Sequence, residues 1–192
     1  MRPKSGRKFR YMKDGFILLL LMFLGTLITA KLDGLSEETF SGNFRAVDGD
    51  TLASDRMRYR LLGIDAPELR QTCSGSEGEW ACGQAARAFL SDTLKRGTVK
   101  CVSNKKDKYA RYLSRCTVDG EDVAGLVVAA GLAVTTEYFL YAEELDRARE
   151  QKIGLWSGAF EQPRDWRREH KAAEMDVPLA GLLTVLRHIL GW

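Results

Sequence analysis

Asp48, Gly49, Asp50 and Thr51 form the first of three short stretches whose residue types suit one chemistry. The second is Arg60-Leu61-Leu62-Gly63-Ile64-Asp65-Ala66-Pro67-Glu68, and the third is Asp107-Lys108-Tyr109-Ala110-Arg111. Together they supply carboxylates for a hard cation, a further carboxylate that could handle a proton, and two arginines that could grip a phosphate. That set of groups fits cleavage of a phosphate diester. Each stretch alone is a common pattern; their order and joint chemistry carry the reading.

In an extended strand, residues i and i+2 face one side, so Asp48 and Asp50 could aim both carboxylates at one point. An ordinary Asp-Gly hairpin turn is the alternative. Arg60 stands in an otherwise apolar run, where an unpaired guanidinium is costly. Its anion is either Asp65 or Glu68 within the protein, or a bound phosphate. Pro67 biases Ala66 toward an extended conformation, which leaves the Ala66 carbonyl available as an oxygen ligand. Asp50, Asp65 and that carbonyl would make an all-oxygen site of the kind Ca2+ or Mg2+ prefers, unlike zinc or copper. Arg111 adds a second phosphate clamp, and Tyr109 a ring for stacking and a hydroxyl.

The elements that must position these residues are mainly β. Runs at 42–47, 51–53, 57–64, 98–103 and 112–118 read as short strands separated by Gly or Asp-Gly turns. A helix is expected over about 79–95, where Ala86, Leu90 and Leu94 stack at i+4 spacing and Gly97 stops the run. Further helices are expected over about 122–130, with Asp122 as N-cap, and over about 140–153. The pattern predicts an α+β domain at 41–160: a five-stranded closed barrel of the OB type with three helices.

Outside that domain the chain changes character. Of 29 basic residues, six lie in the tail 1–13, namely Arg2, Lys4, Arg7, Lys8, Arg10 and Lys13, and the rest of the chain is slightly acidic. Residues 16–30 form an uncharged apolar block, read with its flanks (14–31) as a signal peptide or a membrane anchor. The block is long for a signal core and short for a membrane span. Ala30 could precede a cleavage point. Either way the domain is expected outside the cytoplasm, in the cell envelope or beyond it. Residues 32–40 read as a polar linker. Within the domain, Lys95, Arg96, Lys100, Lys105, Lys106, Lys108, Arg111 and Arg115 form a basic patch opposed only by Asp107, a surface that can attract a polyanion. The tail from 161 is polar to 176. Residues 178–192 then read as a short amphipathic helix for packing on the domain, on a membrane surface or on a partner.

Cys73, Cys82, Cys101 and Cys116 contain no C-x-x-C pair, which argues against structural zinc, and their even number in an exported domain suggests disulfides. Cys101 and Cys116 lie in neighbouring strand runs and could form a cross-strand bridge. Cys73 and Cys82 could close a Gly- and Ser-rich loop. Four cysteines permit three connectivities.

Taken together, Val47–Thr51, Arg60–Glu68, Asp107–Arg111, Asp119-Gly120 through Gly131-Leu132-Ala133, and Gly154-Leu155-Trp156 resemble the thermonuclease (staphylococcal-nuclease-like) family. The similarity covers about 42–157. It implies an OB-fold enzyme that uses Ca2+ to hydrolyse DNA and RNA, single strands preferred, leaving 3′-phosphate ends. By matching position, it implies Asp50, Asp65 and the Ala66 backbone carbonyl as Ca2+ ligands, with Asp48 acting through water. It further implies Glu68 as general base, Arg60 and Arg111 on the phosphate, and Lys108 and Tyr109 as substrate contacts. After Ala133 the chain departs from the family pattern, and either Tyr138 or Tyr141 could take the place of its substrate tyrosine. Both histidines, His170 and His188, lie in the tail, away from these motifs. The competing expectation is a non-catalytic, membrane-anchored OB module that binds nucleic acid or protein. Such a module has no use for paired metal carboxylates.

Overall fold

The computed structural model describes residues 6–33, 37–76, 78–137 and 139–170. The chain divides into two compact units, Met1–Glu38 and Thr39–Trp192. The first holds α1 (Gly6–Asp33), whose residues Phe16 to Leu24 are exposed. Among the described residues no helix is long and apolar enough to cross a membrane. The apolar block 16–30, as 15 helical residues, covers about 22 Å, against a hydrocarbon core of about 30 Å. The anchor expectation is therefore not supported. The amphipathic segment 178–192 lies outside the described residues.

Successive elements are β1 (Glu38–Ser41), β2 (Arg45–Ala46), β3 (Thr51–Ser54), β4 (Met57–Leu61), β5 (Ile64–Asp65), β6 (Cys73–Gly75), β7 (Gly78–Trp80), α2 (Cys82–Leu94), β8 (Val99–Lys106), β9 (Tyr112–Val118), β10 (Glu121–Asp122), α3 (Val123–Ala129), β11 (Val134–Thr135) and α4 (Ala142–Glu150). A 3-10 turn at Gly154–Ser157 and a helical stretch at 163–170 follow. The main sheet runs β1-β8-β9-β4-β3-β2, with β10 on β9, while β5 pairs with β11 and β6 with β7. The result is an α+β, OB-like fold. It differs from the five-strand closed barrel expected, since the main sheet alone has seven strands and its order ends at β1 and β2.

Local sequence explains the elements. The Asp119-Gly120 turn joins β9 to β10 with φ of 48° and 93°, the left-handed pair that tight hairpins require. Asp122 caps α3 by accepting the Gly125 N–H at 3.0 Å, as its position predicts. Ala86, Leu90 and Leu94 bury the inner stripe of α2. Tyr59 of β4 is 1% exposed and anchors the core, with Phe40, Phe44 and Tyr112 rings packed around it. Two expectations shift. The linker 32–40 ends in strand β1, and the predicted start of α2 at 79 belongs to the β6–β7 hairpin.

Both cysteine pairs form: Cys101–Cys116 and Cys73–Cys82. Cys101 and Cys116 are directly opposed in the β8–β9 ladder, whereas Cys73 ties β6 to the first residue of α2.

Candidate active site

Strand register brings the first two motifs together. Thr51 pairs with Arg60 across β3 and β4, so Asp50, one residue before β3, lies beside the Arg60 side chain. Tyr59 and Leu61 point into the core, and alternation turns Arg60 to the other face. There Arg60 bridges two acids, donating from Nη1 to Asp50 Oδ1 and from Nη2 to Asp65 Oδ1, both at 2.7 Å. Asp65 is held in β5 by its pairing with Val134 of β11. The sequence alternatives for Arg60 were Asp65, Glu68 or a bound phosphate; of the two acids the structure pairs it with Asp65, and it adds Asp50.

The segment 47–50 is a bend instead of a strand. Val47 N–H donates to Thr51 C=O at 2.8 Å, and Asp48 Oδ1 accepts the Asp50 N–H at 3.0 Å. One Asp48 oxygen is therefore spent on the turn, and of the two alternatives, strand or turn, the structure shows the turn, an Asx turn. Gly49 is required by close packing: a Cβ there would stand 2.6 Å from Ala86 Cβ and 2.7 Å from Ala66 Cβ.

Parallel pairing of β4 with β9 sets Tyr59 opposite Tyr112 and brings Arg111, just before β9, to the same cleft as Arg60. Asp107 shapes that loop. It accepts the N–H groups of Tyr109 and Arg111 and the Arg111 Nε–H, at 2.8, 3.0 and 2.8 Å. Burial pushes the Asp107 carboxyl up, but these bonds outweigh it and hold it below its ordinary value. The Tyr109 ring lies 5.4 Å from the Arg111 guanidinium and 5.1 Å from Lys108 Nζ.

The cleft has a volume of about 1150 Å³, and its walls include Asp48, Asp50, Arg60, Ala66, Glu68, Lys108, Tyr109 and Arg111. The sequence-predicted residues thus converge, with Asp65 tied to them through Arg60. Of the two tyrosines, Tyr141 turns to donate to Asp122 at 2.9 Å, and Tyr138 lies outside the described residues.

Burial pushes Asp50 up to about 7, with Arg60 and the Ala66 N–H pulling the other way. The 2.7 Å pair with Arg60 favours its carboxylate form. Burial works against the Arg60 charge too, yet Asp50 and Asp65 outweigh it and raise its pKa.

Among the described residues no group of three or more His, Cys, Asp or Glu is arranged to hold a metal. A cation here would rest on two carboxylates plus backbone and water oxygens, and Asp50 keeps room for it. A carboxylate offers about four acceptor positions. Asp50 uses three, for Arg60, Thr51 Oγ1 and the Ala66 N–H. The donor chemistry is that of a hard, oxygen-seeking ion.

Four contributors were missed. Arg167, in the helical stretch 163–170, donates to both oxygens of Asp65 (3.0 and 2.8 Å) and to Glu68 Oε1 (2.8 Å). Its only sequence signal was Pro163 before a charged run, a common helix start. Gln71, 1% exposed, pins the Glu68 backbone. Gly83 packs so tightly beneath Glu68 that a Cβ would collide with the Glu68 carbonyl. His170, distant in sequence, also lines the cleft, stacked 3.8 Å from Trp166.

An OB-like sheet presenting paired acids, a further carboxylate and several guanidinium groups to one cleft has the equipment of a phosphodiester hydrolase. The family model described as staphylococcal nuclease homologue matches residues 58–158, and the chain belongs to that family. It is 32% identical over 136 residues to an uncharacterized endonuclease of Escherichia coli O157:H7, covering 66% of this chain and 82% of the relative. It is 31% identical over 129 residues to the SPbeta prophage-derived endonuclease YokF of Bacillus subtilis (strain 168), covering 59% and 42%. A probable endonuclease lcl3 of Botryotinia fuckeliana (strain B05.10) is 28% identical over 152 residues, covering 70% and 57%. The protein is a nuclease.

Proposed function

We propose that this nuclease hydrolyses DNA and RNA with Ca2+, outside the cytoplasm, leaving 3′-phosphate ends. The observation that carries this reading is the Arg60 bridge between Asp50 and Asp65, set in the cleft that also contains Glu68 and Arg111. Asp50, Asp65 and the Ala66 carbonyl would hold the ion, with Asp48 reaching it through water. Bound there, Ca2+ would neutralise phosphate charge and acidify a water. Glu68 takes the proton of the attacking water. Arg60 and Arg111 hold the phosphoryl oxygens as charge grows on them. A guanidinium carries five donors, and the Arg60 bonds to Asp50, Asp65 and the Ile64 carbonyl engage three. Lys108 and Tyr109 contact the neighbouring nucleotides, and a single strand suits them because its bases are free to stack.

Two disulfides and an apolar segment preceded by basic residues support export. Full-length protein should degrade single-stranded DNA and RNA with Ca2+ and stop when a chelator is added. Glu68→Gln should lower kcat by about 10²- to 10⁴-fold. Undiminished cleavage by Asp50→Ala or Glu68→Gln would overturn the residue roles. Cell fractionation that finds the protein only in cytoplasm would overturn the location.

A further inference from the structure

The family-matched span ends at residue 158, yet the chain returns to the cleft beyond it. Ser74 N–H donates to the Ala159 carbonyl at 2.9 Å, and Gln71 Nε2 donates to the Glu161 carbonyl at 2.7 Å. Pro163 is buried, and the helical stretch it opens aims Arg167 at Asp65 and Glu68. Burial disfavours the Arg167 charge, but the bonds from both acids outweigh this and raise its pKa.

These contacts decide what Asp65 can still bind. Asp65 Oδ1 accepts from Arg60 and Arg167, and Oδ2 accepts from Arg167. Three of about four acceptor positions are filled. The Arg167 charge also cancels much of the negative field that would draw in a divalent cation. Its second partner is Glu68, the proposed general base, whose Oε1 accepts the Arg167 Nη1–H at 2.8 Å.

We propose that Arg167 and the divalent cation compete for Asp65, so that this arginine sets the cation concentration at which the nuclease site fills. The inference rests on the Ca2+ reading above. The fork of Arg167 holds the acids in place until the ion takes Asp65, and release of the fork also frees Glu68. Among the described residues its exposed neighbour Arg168 pairs with Asp165, at 3.2 Å, and touches neither acid.

Isothermal titration of full-length protein with Ca2+ tests this without any turnover. Arg167→Gln should bind Ca2+ about tenfold or more tightly, Arg167→Lys should fall between it and the wild type, and Arg168→Gln should match the wild type. Thermal unfolding gives a second reading. Arg167→Gln should be less stable than wild type in chelator and should gain more from saturating Ca2+. Equal affinity in wild type and Arg167→Gln, or weaker binding in the variant, overturns the competition and leaves the Ca2+ reading intact. Absence of Ca2+ binding in both proteins overturns the Ca2+ reading itself. If Arg167→Gln fails to fold, the lysine variant decides: affinity equal to wild type overturns the proposal.

Discussion

Gln71 and Glu68 hold each other through two reciprocal hydrogen bonds. The Glu68 N–H donates to Gln71 Oε1 at 3.1 Å, and the Gln71 N–H donates to the Glu68 carbonyl at 2.7 Å. A buried amide thereby fixes the backbone of a carboxylate that lines the cleft.

Gln71→Leu should expose what that pair contributes. Leucine fills a similar volume but leaves the Glu68 N–H without its acceptor, at a cost of about 1–3 kcal/mol. Because Glu68 is then less well aimed, kcat should fall about tenfold or more while KM changes little. Urea unfolding and steady-state kinetics measure the two effects separately.

Gly83→Ala attacks the same residue from below. Its added methyl meets the Glu68 carbonyl oxygen and also crowds Leu69. Overpacking of this sort costs about 1–3 kcal/mol. Activity should drop more than stability does, since the displaced backbone is that of Glu68. An alanine variant as active as the wild type would contradict the tight packing.

Tyr141 carries a pH signature. Burial, then the neighbouring Asp122 carboxylate, push its hydroxyl above the usual value. A folded-state pKa raised above the unfolded one stabilises fully below the unfolded value of about 10 and is lost as pH climbs past it. Wild-type stability should therefore decline above pH about 10. Tyr141→Phe should lose about 1–2 kcal/mol at neutral pH and show a shallower alkaline decline. Denaturant titrations between neutral and alkaline pH distinguish the two proteins.

The Cys101–Cys116 bridge closes a separation of 15 residues. Replacing both by serine should cost about 3 kcal/mol, read as a lower urea midpoint. Activity at room temperature should persist, because Asp50, Arg60 and Glu68 lie outside the β8–β9 hairpin and Arg111 is held by Asp107 at its far end.

Much of the candidate site was legible because its residues lie in short motifs. Asp50, Arg60, Asp65, Glu68 and Arg111 each sit within a few residues of a turn or strand end that the sequence marks. The helices at 122–130 and 140–153 were legible for similar reasons, since Asp122 and Gly154 mark a start and a stop. At Asp48 the sequence left strand and turn open, because an Asx turn and a strand share the same Asp-Gly-Asp spelling. The β6–β7 hairpin was hidden by three-residue strands, too short for alternation to register. Arg167 was invisible for another reason. Its role depends on a contact 102 residues away in sequence, and nothing in a charged, polar run distinguishes an arginine that turns inward from one that stays in water. Gln71 and Gly83 carry no chemistry of their own, so only their packing reveals them.

The parallel pairing of β4 with β9 has a kinetic consequence. Asp50 and Arg60 meet through a neighbouring hairpin, a contact that closes a short loop and forms early. Arg111 reaches them only after the chain has crossed over through α2 and β8, and such non-local pairings slow folding. Refolding should therefore assemble the acid–guanidinium half of the cleft first and deliver the second arginine late, with the β8–β9 hairpin arriving as a unit already stapled by its own disulfide.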